Sequence, residues 1–259
     1  MTRKSSAMEL LALPGIPEVR EGDDVGELLA AAMVRAGRQW RAGDIVVIAQ
    51  KIVSKAEGRT RRLVDIDPTH MAWEYASASG KDPRKVQAML DESVAVVRVA
   101  KVPPDGLVIT RHRHGWVCAN AAIDESNVGE DGTVLLLPAD PDVSAACVAR
   151  TIEAGSGIAP GVIISDTFGR AWRRGLVNVA IGVANVPAVV NWIGQTDAYG
   201  RPMQVSQPAF ADEVAAAAGL LMGKDSFTPA VLVRGLGWDI DHGANARQLV
   251  RPLKEDLFQ

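Results

Sequence analysis

The chain has 259 residues, of which 47% are hydrophobic and 23% charged, with a formal net charge of −3. This is a soluble globular composition with enough length for a sizeable core, as one large domain or two small ones. Positive charge collects at 51–62 and 170–174 instead of forming a broad basic face, which argues against a nucleic-acid partner and for a small anionic ligand.

The N-terminal MTRKSSAMELLALPG begins basic, but its apolar run is too short for a signal peptide and meets Pro14. LPGIPEVREGDD (13–24) reads as a Pro/Gly loop. Behind Asp23 and Asp24 a helix, VGELLAAAMVRAG, runs to Gly37. DIVVIAQ (44–50) is a short apolar strand, followed by the polar segment KIVSKAEGRTRR. If Gln50 opens a helical turn there, Lys51 and Lys55 share a face, with Ser54 close by. MAWEYASASG and DPRKVQAMLDESV read as helices, the second opened by Asp82-Pro83. VAVVRVAK is a strand, and LVITRHRHGWVCANAAI a strand and hairpin with His112 and His114 on one face. An acidic turn leads to VLLLP, then to a helix from Asp142 to about Ala154 and the strand GVIISD. NVAIGVANVPAVVNW is apolar, but Asn178, Asn185, Pro187 and Asn191 exclude a membrane span. FADEVAAAAGLLMGK is a helix closed by Gly223, with Asp212 and Glu213 as first-turn acids, and PAVLVRG is a last strand. Short strands among helices of unequal length, with no repeat and no clear boundary, indicate an α+β or α/β chain. A cytoplasmic location is expected.

Several chemistries are disfavoured. Cys118 and Cys147 offer no disulfide framework or zinc spacing, and both read as buried thiols. The HxH pair lacks further nitrogen or sulfur ligands, since His70 and His242 have no supportive spacing. GLLMGKDS (219–226) has three residues between its glycines instead of four, and Asp225 where a phosphate loop needs Ser or Thr. GSGIAPG (155–161) lacks the dinucleotide spacing and precedes its strand.

What remains centres on ISDTFGRAWRRG. Asp166 at a strand end is a rigid place for a metal ligand, and the Thr167 hydroxyl is a second hard oxygen suited to magnesium or manganese. Gly169 permits close backbone approach, and Arg170, Arg173 and Arg174 could clamp phosphate or carboxylate. Asp124, ending another apolar run ahead of Glu125, Ser126 and Asn127, supplies a second carboxylate for a divalent ion whose shell a nucleotide completes. Each stretch by itself is also compatible with an ordinary solvated turn. Trp172, Trp192 and Trp238 could stack on a flat ligand, with core the default for each.

In this order the segments resemble the coenzyme F420-0:L-glutamate ligases, or F420 γ-glutamyl ligases. The resemblance runs from LPGIPEV through DIVVIAQKIVSKAEGR, DPRKVQAMLDES, HGWVCANAAIDESNVG, ISDTFGRAWRRG, the DAYGRPM turn and ADEVAAAAGLLMGK to PAVLVRG, about residues 13 to 235. It implies an α+β ligase fold of mixed short-stranded sheets with helices and no Walker loop. The whole chain, 1–259, is then expected to be one domain, with two intertwined lobes as a variant and no fused C-terminal reductase domain. A homodimer is implied as well. GTP is the implied co-substrate, with two divalent cations (Mn2+ or Mg2+) and potassium as a further candidate; L-glutamate and a deazaflavin phosphodiester are the implied substrates.

Carried over by position, the resemblance places metal ligands at Asp124, Asp166 and Thr167 and catalytic roles at Asp124, Asp166 and Arg173. It places nucleotide contacts at Ile16, Pro17, Glu18, Val19, Gln50, Lys55 and Asn127, and along Gly200, Arg201, Pro202, Met203, Gln204, Val205, Ser206 and Gln207. Gln50, Glu125 and Pro202 depart from what some relatives carry. The implied chemistry transfers the γ-phosphoryl group of GTP to the acceptor carboxylate, and the glutamate amine then displaces phosphate. Positioning and charge neutralisation carry such a reaction, so no Ser-His or Cys-His pair is needed. Alternatives are a same-fold amide ligase for another carboxylated acceptor, a non-catalytic GTP-binding protein, and a metal-dependent phosphohydrolase.

Overall fold

The structure, a computed structural model, describes residues 7–125, 131–223 and 225–257. At its centre Ile45–Ala49 (β2) and Gly161–Arg170 (β8) run parallel in a five-stranded sheet. Their apolar runs suit strands covered on both faces. Ala230–Arg234 (β10) pairs antiparallel with β2 and with the edge strand Glu9–Ala12 (β1), while Arg173–Ala184 (β9) closes the other side against β8. Period-two alternation splits each strand between two cores. Val46, Ile48, Val162 and Ile164 face the helices Val25–Arg35 (α1) and Pro141–Ser156 (α5). Ile45, Val47 and Ile163 face Phe210–Gly219 (α6).

Between Gln50–Ala56 (α2) and α5 the chain builds a smaller assembly. Thr60–Arg62 (β3) pairs with Thr133–Leu135 (β7); Ser93–Ala100 (β4), Leu107–His112 (β5) and Val117–Ala119 (β6) form an antiparallel sheet. His70–Ser79 (α3) and Pro83–Asp91 (α4) pack beside it. The helix starts follow sequence chemistry: Asp24, Thr69, Asp82 and Asp140 each accept a backbone N–H in the first turn of the helix they precede, and Pro follows both Asp82 and Asp140. The result is the mixed α+β architecture expected.

Five expectations need correction. The strand read as GVIISD runs four residues further, to Arg170, because β9 begins at Arg173 and pairs with it as a long hairpin. That pairing supplies the backbone bonds, so the ribbon tolerates polar residues on both faces after the core ends at Ser165. The helix α6 ends at Gly219, not Gly223; a side chain at 219 would meet Asn178, and the next residue, Leu220, is exposed. Cys118 is buried, but Cys147 is exposed, on the face of α5 opposite Ala145, Val148 and Ile152. Of the three tryptophans, Trp238 packs into the α6 core and donates to Gly43 O at 3.1 Å. Trp172 and Trp192 are exposed instead.

Candidate functional site

The start of α2 organises the site. β2 ends at Ala49, paired with Ser165, and the chain turns at once into the helix, which sets Gln50 level with Asp166. Gln50 is 2% exposed; the Ser54 hydroxyl donates to its Oε1 at 2.7 Å, and among the described residues its Nε2 has no partner. The i, i+4 spacing puts Lys51 and Lys55 one turn apart, as expected. Lys51 Nζ lies 2.7 Å from the Asp124 carboxylate, and Lys55 pairs with Glu18. One helical turn therefore gathers the loop 16–19 and Asp124. The loop is further held by Val19 in the core, by Ile16 packed against it, and by Gly22 N donating to Ala56 O at 2.9 Å.

Asp124 is placed by backbone. Its N–H donates to Leu135 O at 3.0 Å and its carbonyl accepts from Leu135 N at 2.9 Å, which pins it to β7. It follows Asn120, Ala121 and Ala122, with φ of 54°, 53° and 56°. Each non-glycine residue held left-handed costs about 1–2 kcal/mol, so surrounding contacts must hold the turn. Asn120 Oδ1 accepts from Val108 N at 3.2 Å, and Ala121 is buried against Met89 and Val108.

Asp166 is half-buried, just beyond the core of β8, and lies near Cys118 of β6. Burial first, and then the Asp166 charge, push the Cys118 thiol up to about 12, which disfavours its thiolate. Successive strand residues leave opposite faces, so the Asp166 and Thr167 side chains do not converge. The Thr167 hydroxyl instead reaches Asn178 Oδ1, at 3.4 Å.

The arginines do not crowd Asp166. Asp166 pairs with Val179 and Arg170 with Arg173, four residues along the ribbon, which is about 13 Å. Arg170 donates to the carbonyls of Arg174 (2.6 Å) and Gly175 (3.5 Å), so its guanidinium braces the hairpin turn. Arg173 and Arg174 open β9, exposed beside Trp172. Gly200 to Gln207 belongs to a separate arm: Met203 N donates to Gln195 O at 2.8 Å, and Trp192 N to Ser206 O at 3.0 Å. The Asp197 carboxylate accepts from Tyr199 N and Arg201 N at its tip, and the arm leads into α6. Asn127 lies outside the described residues.

A cleft of about 700 Å3 opens beside Asp124, lined by Lys81, Lys85, Asp105, Asn120 and Glu125 among others. Sequence reasoning missed it, although KDPRK (81–85), right after the α3 cap at Gly80, was a signal: it clusters Lys81, Arg84 and Lys85 at the start of a helix. Lys85 pairs with Glu125 at 2.6 Å. Burial lowers the Lys81 pKa below the usual lysine range, partly offset by Glu125 and Asp105. A second cavity, about 360 Å3, lies between His114, Trp116, Asp142 and Arg247. The HxH pair belongs to structure: the His112 and His114 rings stack at 4.8 Å, and His112 Nε2 stands 3.6 Å from the Glu92 carboxylate.

Asp124 and Asp166 supply two carboxylates beside Lys51 and Lys55, while the Thr167 hydroxyl lies on the other face of the ribbon. Among the described residues no three His, Cys, Asp or Glu side chains gather around one point. That donor set fits a hard divalent ion that takes one or two carboxylates and completes its shell on phosphates and water. The described residues include no helix long and apolar enough to cross a membrane.

The family model described as F420-0:Gamma-glutamyl ligase matches residues 15–235. The chain is 43% identical, over 97% of its length and 99% of the relative's, to the coenzyme F420:L-glutamate ligase of Methanothermobacter thermautotrophicus. It is 41% identical to the protein of that name from Archaeoglobus fulgidus (97% and 96% covered) and 37% identical to the one from Methanocaldococcus jannaschii, over both full lengths.

Proposed function

The chain belongs to the F420-0:gamma-glutamyl ligase family, and from that premise we propose that it joins L-glutamate to coenzyme F420-0 at the expense of GTP. The observation that carries the site is the single turn of α2 from which Lys51 reaches Asp124 and Lys55 reaches Glu18, level with Asp166. Two cations and two acids at a strand–helix junction suit a polyphosphate better than an apolar ligand.

In this reading the loop 16–19, Gln50 and Lys55 seat the nucleotide, and the unpartnered Gln50 amide finds its acceptor there. Asp124 and Asp166 would hold one divalent ion and Thr167, on the other ribbon face, a second; such ions neutralise charge on a transferring phosphoryl group. Lys51 and Lys55 hold the phosphates in line. The acceptor carboxylate oxygen bonds to the γ-phosphorus as the bond to the β-phosphate oxygen breaks, and GDP leaves. The glutamate nitrogen then bonds to the acyl carbon, the carbon–oxygen bond to phosphate breaks, and inorganic phosphate leaves with the amine having lost its protons. The arginines at the ribbon tip, Arg173 included, are too far from Asp166 along the strand to share its ion, so their role is to meet a substrate anion or a second subunit. The protein works in the cytoplasm as a homodimer.

The test is phosphate release from GTP with magnesium or manganese, omitting F420-0 and L-glutamate in turn, followed by mass analysis of the acceptor. Release should require both and add a glutamyl mass. Release that ignores glutamate would make the protein a phosphohydrolase. Asp124→Ala and Asp166→Ala should each lower kcat by about 10²-fold or more. Near-normal turnover in both would remove the metal site from this place.

A further inference from the structure

We propose that the cleft beside Asp124 is the subsite for the incoming amino acid, with Lys81 and Lys85 receiving the carboxylates of L-glutamate and Asp105 with Glu125 receiving its ammonium group. The proposal rests on the ligase reading above and adds to it the place and the recognition chemistry of the second substrate.

Charge is the first argument. The cleft mixes two lysines with Asp105, Asp124 and Glu125. A nucleotide or another purely anionic ligand would meet three carboxylates. An amino acid carrying two carboxylates and one ammonium group presents both signs, and the walls match it group for group. The unsatisfied lysine is the second. Lys81 is half-buried, and among the described residues its ammonium has no ion-paired or hydrogen-bonded partner, while Lys85 already holds Glu125 at 2.6 Å. Glu125 and Asp105 offset only part of the cost of burying the Lys81 charge, and a ligand carboxylate in direct contact offsets more.

Position and rigidity complete the case. Asp124 lines the cleft and is also paired with Lys51 of α2, so an amine bound in the cleft sits against the residue that borders the phosphoryl site. The walls are fixed before any ligand arrives: Asn120 is tied to Val108 N, and Gly106, at φ +67, lies so close to Ser79 O that no side chain fits between. A preformed cleft loses little freedom on binding.

The experiment compares wild-type enzyme with Lys81→Gln, Lys85→Gln and Lys81→Arg, varying glutamate, GTP and F420-0 separately. Each Gln variant should raise KM for glutamate about 10–100-fold, the loss expected for one charge-assisted contact, with KM for GTP and F420-0 within about twofold of wild type. Lys81→Arg should recover part of the loss. Glutarate, which keeps both carboxylates and lacks the amine, should compete with glutamate, and its Ki should rise in Lys81→Gln by a similar factor. An unchanged KM for glutamate in both Gln variants overturns the proposal, as does an effect confined to F420-0, which would give the cleft to the acceptor. Equilibrium dialysis with labelled glutamate separates this from failure of the ligase reading. Should wild type show no glutamate-dependent phosphate release, glutamate binding that Lys81→Gln abolishes would still support the subsite, and no binding to wild type would overturn it.

Discussion

At Glu92 burial and pairing oppose each other, and pairing wins. Burial alone would raise the carboxyl pKa; contact with His112 and with the guanidinium groups of Arg59 (2.9 Å) and Arg113 (3.0 Å) brings it down to about 2, from an ordinary 4.5. Because the folded value lies below the unfolded one, the stabilisation is complete above about pH 4.5 and is lost as pH falls toward 2. Its size is on the order of 3 kcal/mol. His114 adds to the same acid limb. Burial, then His112 and Arg113, lower it from 6.5 to about 4, so the unfolded chain takes the proton first and stability begins to fall below pH 6.5. Urea unfolding followed from pH 7 downward should therefore show a continuous loss of stability. Glu92→Gln should be less stable at pH 7 and should flatten the part of that curve below pH 4.5. An acid limb identical to wild type would remove Glu92 as its source. Lys51 and Lys55 were legible from their spacing, since i and i+4 on any helix share a face. Lys81 was not, because its importance comes from a cleft whose other walls are the loop 103–106 and the segment 120–125, far away in sequence.

Elements were legible wherever a local signal was complete. Acidic starts and apolar runs gave α1, α3, α5, β2 and β10 to within a residue or two, whereas the helix read over 82–94 ends at Asp91 because Ser93 already pairs in β4. The β8–β9 hairpin was not, because past Ser165 its strands carry polar side chains on both faces and only the partner strand keeps them extended. β1 and β3 also needed partners to exist, being three or four residues long. A hinge of this kind of dependence is Gly106, which joins β4 to β5 while pressed on the end of α3. Gly106→Ala must accommodate φ +67 and a Cβ against Ser79 O. It should cost about 2–4 kcal/mol in urea unfolding and raise KM for glutamate by deforming the cleft. Stability within about 0.5 kcal/mol of wild type would show that this close approach is not a constraint.

Across the whole molecule, distant segments are tied by a few buried polar links. Asp44, fully buried before β2, receives both Nε (2.8 Å) and Nη2 (2.7 Å) of Arg234 at the end of β10, 190 residues later, and also accepts from Arg41 N at 2.8 Å. Asp44→Ala leaves that guanidinium without its partner at the end of the inner strands β2 and β10 and should cost about 3–5 kcal/mol, measured by urea unfolding. A double mutant, Asp44→Ala with Arg234→Met, should recover much of the loss; equal destabilisation in both would mean that the loss comes from the bonds Asp44 makes and not from a stranded guanidinium. The sequence by itself determined the acidic helix starts, the apolar strands and the family, because these depend on residue type and local spacing. Tertiary structure alone decided that the ribbon carries Arg173 away from Asp166, that Asp166 and Thr167 face apart, and that Lys81, Lys85 and Glu125 share one cleft with Asp124. The cleft joins residues about forty positions apart, and the ribbon exists only because β9 pairs with β8; strand register and the left-handed turn ahead of Asp124 set that geometry, which no local pattern encodes.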